Sequence, residues 1–262
     1  MLGDGDMQKQ TRIMVGCNIL TSIDGMAYPS HCKNWYTWGK RTDWKMYFYT
    51  PRRASIDRMR NETAKKALEL ECDYLYFYDD DCIVPDQGLA QLMSHDKDIV
   101  AGLTLIRGAP FQPMVFNYIK DDEDGNGILD NSMEVLKAKE LFPCNAVGFS
   151  CVLIKTDLFK KMEPPFFITG TQSTEDIYFC IRAQKELKAE VYCDPNVQVS
   201  HIVDRYYVNP GNRDKLLEVT KWLSGEESKD EESEETRGDD FMSRIKQGVE
   251  RALKVEPGVR AN

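Results

Sequence analysis

Residues 74–85 read YLYFYDDDCIVP. Five apolar or aromatic residues run into three consecutive aspartates, and the chain then turns apolar again before a proline. The first half reads as a strand covered on both faces, the pattern of a parallel sheet flanked by helices. Three carboxylates at its end repel one another, so a fold that keeps them there needs something to hold the charge. Asp79 and Asp81 alternate with Asp80 in extended register, which predicts that the outer pair share a face and that Asp80 points away.

Working outward, RIMVGCNIL (12–20) and KMYFYT (45–50) read as two further strands, the second stopped by Pro51. SIDRMRNETAKKALELE (55–71) sets Ile56, Met59, Ala64, Ala67 and Leu68 on one helical face, with Ser55 as N-cap. DQGLAQLMSH (86–95) is a short helix after Pro85, and DIVAGLTLI (98–106) a strand. Beyond them come a strand at 111–119, the turn-rich DDEDGNG (121–127), and NAVGFSCVLIK (145–155), a strand whose Gly148 permits a close approach. TEDIYFCIRAQKEL (174–187) is a helix capped by Thr174. VYCDPNVQVSHI (191–202) gives an edge strand and a short strand ending at His201. Residues 203–224 read as a loop and helix. This alternation predicts a Rossmann-like α/β fold, a mixed, mainly parallel sheet flanked by helices. Ligands in such sheets sit beyond the carboxyl ends of the strands, where Asp79–Asp81 falls.

Three segments follow from composition: a domain over 1–224, an acidic linker over 225–240 and a tail over 241–262. GEESKDEESEETRGDD (225–240) holds nine acids and two bases, too polar to pack. In FMSRIKQGVERALKV (241–255), Phe241, Ile245, Val249 and Leu253 share one face of a basic amphipathic helix. The net charge of −9 therefore leaves only −5 for residues 1–224, with no basic stripe for a nucleic-acid backbone. No run approaches the roughly 18 apolar residues of a membrane span, and the start of the chain lacks an apolar leader. Eight scattered cysteines without a CxxC pair read as reduced thiols, so the expected location is cytoplasmic, with the tail able to touch a membrane surface.

Carboxylates at a strand end have few physical uses. They can hold a hard divalent cation, accept bonds from sugar hydroxyls, or move protons. Thr174-Glu175-Asp176 adds two acids at a helix start, and His201 a third kind of ligand. Alone, each has a plain structural explanation; together in one α/β domain they point to metal-assisted group transfer on a phosphorylated substrate.

FYDDDCIVP (77–85) resembles the DxD motif of nucleotide-sugar glycosyltransferases of the GT-A fold. IDRMRNETAKKALELECDYLYFYDDD (56–81), AVGFSCVLIKTDLFKKM (146–162) and TEDIYFCIRAQKELKAEVYCDPNVQVSHI (174–202) are similar, in that order, to segments of bacterial and phage members. The likeness spans roughly residues 12–205, and it departs from the pattern where QKELKAEVY lacks the glycine usual after the ED helix. The resemblance implies a metal-dependent glycosyltransferase with a nucleotide-diphospho-sugar donor and Mn²⁺ or Mg²⁺. It implies that Asp79, Asp81 and His201 hold the ion, with Asp79 also reaching the ribose. Arg60, Asn61, Thr21 and Ser22 would face the nucleotide, and Arg205 and Tyr206 would close over the diphosphate. Asp176 would be the base for the acceptor hydroxyl in an inverting reaction, and Glu175 would position a substrate.

Two alternatives stay open: a nucleotidyltransferase-like enzyme, and an inactive carbohydrate-binding or scaffold protein of the same fold. The loop NILTSIDG has no basic residue, which disfavours the first; the intact acids and His201 disfavour the second. Candidate acceptors are a glycan, a lipid-linked sugar, a protein or a modified DNA base, the last least favoured on charge. Residues 241–255 could dock on a membrane surface or a partner, and self-association is open.

Overall fold

A computed structural model describes residues 10–121, 127–170, 173–203 and 206–224. The elements run β1 (Thr11–Asn18), α1 (Tyr28–Gly39), β2 (Trp44–Tyr49), α2 (Ile56–Glu69), β3 (Tyr74–Asp79), β4 (Cys82–Ile83), α3 (Gly88–Ser94), β5 (Ile99–Leu103), β6 (Val115–Asp121) and β7 (Gly127–Asp130). They continue through β8 (Phe142–Pro143), β9 (Ala146–Val147), β10 (Cys151–Lys155), α4 (Asp157–Lys161), α5 (Glu175–Leu187), β11 (Val191–Gln198), β12 (Ser200–Val203), β13 (Tyr206–Val208) and α6 (Arg213–Ser224).

The central sheet has the order β2-β1-β3-β10-β5-β11-β8. β1 pairs in parallel with β2 and β3, and β5 with β11, while β10 runs antiparallel between β3 and β5 and β8 antiparallel at the edge. This is the expected mixed, mainly parallel sheet flanked by helices.

Alternate residues of each strand feed two cores. Met14, Leu75, Phe77, Ala101 and Val152 pack beneath α2 and α5 with Phe149, Phe159, Phe167 and Phe179. Ile13, Val15, Tyr76, Tyr78, Val100 and Leu153 face the other way, against Trp38 of α1 and Leu89 and Leu92 of α3. That explains why the strands read as continuous apolar runs. Each fully buried large side chain contributes about 1.5–3 kcal/mol.

The expected strand over 145–155 is broken. β9 pairs with β6, whereas β10 joins the central sheet, and the chain crosses between them at Gly148–Ser150. Gly148 is there because a Cβ would lie 2.4 Å from Met114 Cε and 2.9 Å from Met114 Cβ. A small sheet of β13, β12 and β4 carries His201 beside Cys82 in antiparallel register.

Among the described residues two compact units are distinguished: one holds those of 10–107 and 112–210, and so all the strands; the other holds Gly108–Phe111 and residues 211–224. Within the second, Arg213 at the start of α6 donates to the carbonyls of Phe111 (3.2 Å) and Pro110 (2.7 Å). Among the described residues no helix is long and apolar enough to cross a membrane. All eight cysteines are free. The linker and tail expected at 225–262 lie outside the described residues.

Candidate active site at the carboxyl edge of the sheet

β1 and β3 end side by side, β5 ends at the same edge beyond the antiparallel β10, and the acidic residues gather there. β3 stops at Asp79, and a turn carries Asp80 and Asp81 into β4. The pleat argument therefore ends at Asp79, and the aspartates take three separate partners instead of alternating across a strand.

Asp79 belongs to a buried ion-pair chain. Arg60 Nη2 lies 3.3 Å from Asp79 Oδ1, and Arg60 Nε donates to Glu175 Oε1 at 2.9 Å. The guanidinium also lies 4.9 Å from the Phe77 ring centroid and 5.4 Å from that of Phe149. Burial raises the Asp79 carboxyl above its ordinary range; Arg60 opposes the shift and Asp81 adds to it. Burial raises Glu175 likewise, again with Arg60 opposing. The residue expected to meet the nucleotide is thus 2% exposed and ties β3 to the start of α5. Its signal was present in the sequence: Arg60 lies on the same buried face of α2 as Met59, Thr63, Ala64 and Ala67, and a charge on a buried face requires a partner.

Asp81 turns to His201 and Arg107. His201 Nδ1 lies 2.9 Å from the Leu105 carbonyl, which can only accept, so Nδ1 carries the hydrogen. The lone pair of neutral His201 Nε2 then faces Asp81 Oδ1 at 3.5 Å. Two acceptors in that position call for a proton or a cation between them. Burial lowers the His201 pKa, but the hydrogen bond and charge of Asp81 overcome it and raise it. Burial pushes Asp81 up, and His201 with Arg107 holds it below the ordinary value. Arg107 Nη1 takes the other oxygen, Oδ2, at 2.9 Å.

Cys82 joins this group: ligand atoms of Asp81, Cys82 and His201 lie within 4.8 Å of one another. Its thiol is fully buried and burial pushes its pKa well up, so it is a protonated core group, with Sγ 3.7 Å from Asp81 Oδ1. A carboxylate and an imidazole lone pair suit a divalent cation, and the facing acceptors of Asp81 and His201 fit one. Asp79, expected as a third ligand, has Oδ1 against Arg60.

Asp80 is half-buried and its pKa is raised to about 6, chiefly by burial and then by Asp81 and Asp79. Its backbone carbonyl accepts from Asp24 N at 3.0 Å, which ties the loop after β1 to the acidic turn. Helix α1, absent from the sequence reading, anchors the far side. His31 Nε2 donates to the Cys82 carbonyl (2.9 Å), and Ser30 Oγ and Asn34 Nδ2 donate to the Val84 carbonyl (2.9 and 3.2 Å).

The remaining expected residues divide. Asn61 Oδ1 accepts from the amides of Phe166 and Phe167, and Nδ2 donates to the carbonyls of Asp57 and Phe167. That uses the full capacity of the amide, so Asn61 braces the backbone and cannot serve a nucleotide. Asp176, 8% exposed, accepts at Oδ1 from the Thr174 hydroxyl and the Ile177 amide. Thr174 holds the N-cap position, yet its hydroxyl bonds Asp176 and not the helix backbone. Thr21 and Ser22 are exposed in the loop after β1, and Tyr206 is exposed at the start of β13. Arg205 lies outside the described residues. Asn18 at the end of β1 was not foreseen: it pairs in register with Asp79, is buried, and neither polar atom of its amide has a partner.

No protein-family model and no curated protein matches the chain. Solved structures do. The protein A197 from STIV is 21% identical over 76% of this chain and 91% of its own, with a TM-score of 0.53, which establishes a shared fold. The catalytic domain of Drosophila beta1,4galactosyltransferase 7, solved with xylobiose, is 15% identical over 74% of this chain and 72% of its own, at a TM-score of 0.42. The inositol-1-phosphate CTP transferase from T. maritima is 11% identical over 80% and 77%, at 0.38.

Proposed function

We propose that the protein is a metal-dependent glycosyltransferase that moves a sugar from a nucleotide-diphospho-sugar to an acceptor hydroxyl. The observation that carries the reading is the meeting of two acceptor atoms, Asp81 Oδ1 and His201 Nε2, at the carboxyl edge of an α/β sheet. These residues would hold Mn²⁺ or Mg²⁺, with Asp79 beside them. Bound there, the ion offsets the negative charge that develops on the nucleoside diphosphate as it leaves.

The chain's own groups then have distinct tasks. Arg60 fixes Asp79 and Glu175, so Glu175 acts on the site through the guanidinium. The Asn18 amide offers a donor and an acceptor to the base or ribose. Thr21, Ser22 and Tyr206, exposed around this edge, would supply the outer contacts to the nucleotide. Asp176 has Oδ1 committed to Thr174 and Ile177, which leaves Oδ2 to take the acceptor proton in an inverting reaction.

The test is a screen of nucleotide sugars for Mn²⁺-dependent hydrolysis and transfer, repeated with Asp81→Ala and Asp176→Asn. Loss of turnover in Asp81→Ala by at least a hundredfold is expected, since a metal ligand is removed. Full metal-dependent activity in both variants overturns the reading. Release of inorganic pyrophosphate from a nucleoside triphosphate supplied with a sugar phosphate, with no nucleoside diphosphate released from any nucleotide sugar, would mark a nucleotidyltransferase.

A further inference from the structure

Two arginines neutralise the acidic edge, and they are held in opposite ways. Arg60 is clasped by two carboxylates between two aromatic rings and its side chain is 3% exposed. Arg107 stands just past β5 with a side chain 59% exposed, and its contact is the 2.9 Å ion pair with Asp81. Its neighbour Ile106 is fixed through its amide to the Gln112 carbonyl at 2.8 Å, so the side chain can move without the strand end. Asp81 is half-buried, with a side chain 24% exposed, but the guanidinium end of the pair stands in water, where an ion pair contributes on the order of 1 kcal/mol and exchanges readily.

That pair nevertheless covers an oxygen of the one aspartate that also faces His201. A divalent cation arriving at Asp81 meets a guanidinium already in place, and two cations at such short range repel. The displaced guanidinium would remain at the mouth of the site. Its planar fork of donors fits the oxygens of a phosphate, on which it can form paired charge-assisted bonds.

We propose that Arg107 is an exchangeable counter-ion: it neutralises Asp81 before the cation binds, and transfers to the donor's diphosphate when the cation displaces it. This rests on the metal-dependent, nucleotide-linked reading above. Arg107 therefore works against the metal and for the nucleotide, a combination that a merely structural ion pair does not produce.

The experiment measures Mn²⁺ binding by electron paramagnetic resonance, and UDP, GDP, CDP and ADP binding by calorimetry at saturating Mn²⁺, on the full chain. Arg107→Met keeps the aliphatic stem and removes the charge. It is expected to bind Mn²⁺ on the order of tenfold more tightly and the preferred diphosphate on the order of tenfold more weakly. Arg107→Lys keeps the charge without the fork, so its Mn²⁺ affinity should match the wild type while its diphosphate affinity falls between the two. Unchanged or weaker Mn²⁺ binding in Arg107→Met overturns the exchange, and tighter Mn²⁺ binding with unchanged diphosphate binding overturns the transfer to phosphate. Failure of the wild type itself to bind Mn²⁺ or any diphosphate removes the underlying functional reading, an outcome distinct from both.

Discussion

Truncating Arg60 while leaving its neighbours would strand two buried acids. Arg60→Met keeps the stem between Phe77 and Phe149 but leaves Asp79 and Glu175 facing each other without a cation. Breaking a buried pair in this way costs about 3–5 kcal/mol, measurable by urea unfolding. Adding Glu175→Gln should recover part of the loss; a cost under about 1 kcal/mol would show that the chain of charges is not what holds this edge. Asp80 behaves oppositely. Its folded pKa of about 6 exceeds the ordinary 3.8, so the folded state keeps a proton that the unfolded state releases. The wild type therefore loses stability as pH rises from about 4 to about 6. Asp80→Asn removes that term and should stabilise the metal-free protein by about 1–2 kcal/mol at pH 7.5, after allowance for solvent screening, with no gain near pH 4. A gain independent of pH would defeat the argument. The acids and His201 were legible because such residues are rare at the ends of apolar strands. Arg107 and Asn18 were not, since only the folded chain shows Arg107 on Asp81 and an amide buried without partners.

At the scale of elements, the longer helices with apolar buried faces, α2 and α5, were read, while the five-residue α4, which buries only Leu158 and Phe159, was too short to show a period. α1 escaped because its inner face carries His31 and Asn34, while Tyr28 and Tyr36 are exposed. His31 Nε2 and Asn34 Nδ2 are spent on the carbonyls of Cys82 and Val84, just after the acidic turn. His31→Ala leaves the Cys82 carbonyl without its donor, at about 1–3 kcal/mol. Amide exchange at Ile202, whose N–H donates to the Asp81 carbonyl at 2.9 Å, should accelerate more than exchange at Val152 in the sheet centre. Equal acceleration at both sites would mean a global effect and no local anchoring. α5 offers a second test. Its C-cap, Lys188, sits in the left-handed region at φ 59° and ψ 30°, in the segment where the resembled family carries glycine. Lys188→Gly should stabilise by about 0.5–1 kcal/mol, because glycine takes that conformation without the Cβ clash. A loss in thermal unfolding would contradict it.

For the whole molecule, the alternation of strands and helices sufficed to give the layered architecture, because β1, β3, β5 and β10 are covered on both faces and so read as plain apolar runs. The crossing at Gly148–Ser150 was not legible: β9 and β10 are both apolar, and only their partners tell them apart. The same architecture separates the sheet's two edges, and that separation allows a test of where a cation binds. Asp81 lies at the carboxyl edge, whereas Asp43 lies at the amino edge, where its carbonyl accepts from Thr11 N at 2.9 Å. A cation that binds only the folded protein raises stability by about 2.7 kcal/mol at a hundred times its dissociation constant. For a chain of this size that corresponds to a melting shift of roughly 5–10 °C. Addition of Mn²⁺ should produce such a shift, EDTA should reverse it, and Asp81→Asn should abolish it. Asp43→Asn should leave it intact, because its carboxylate pairs with Arg41 at 2.6 Å and lies at the opposite edge. A shift that survives in Asp81→Asn but disappears in Asp43→Asn would move the cation to the wrong end of the sheet.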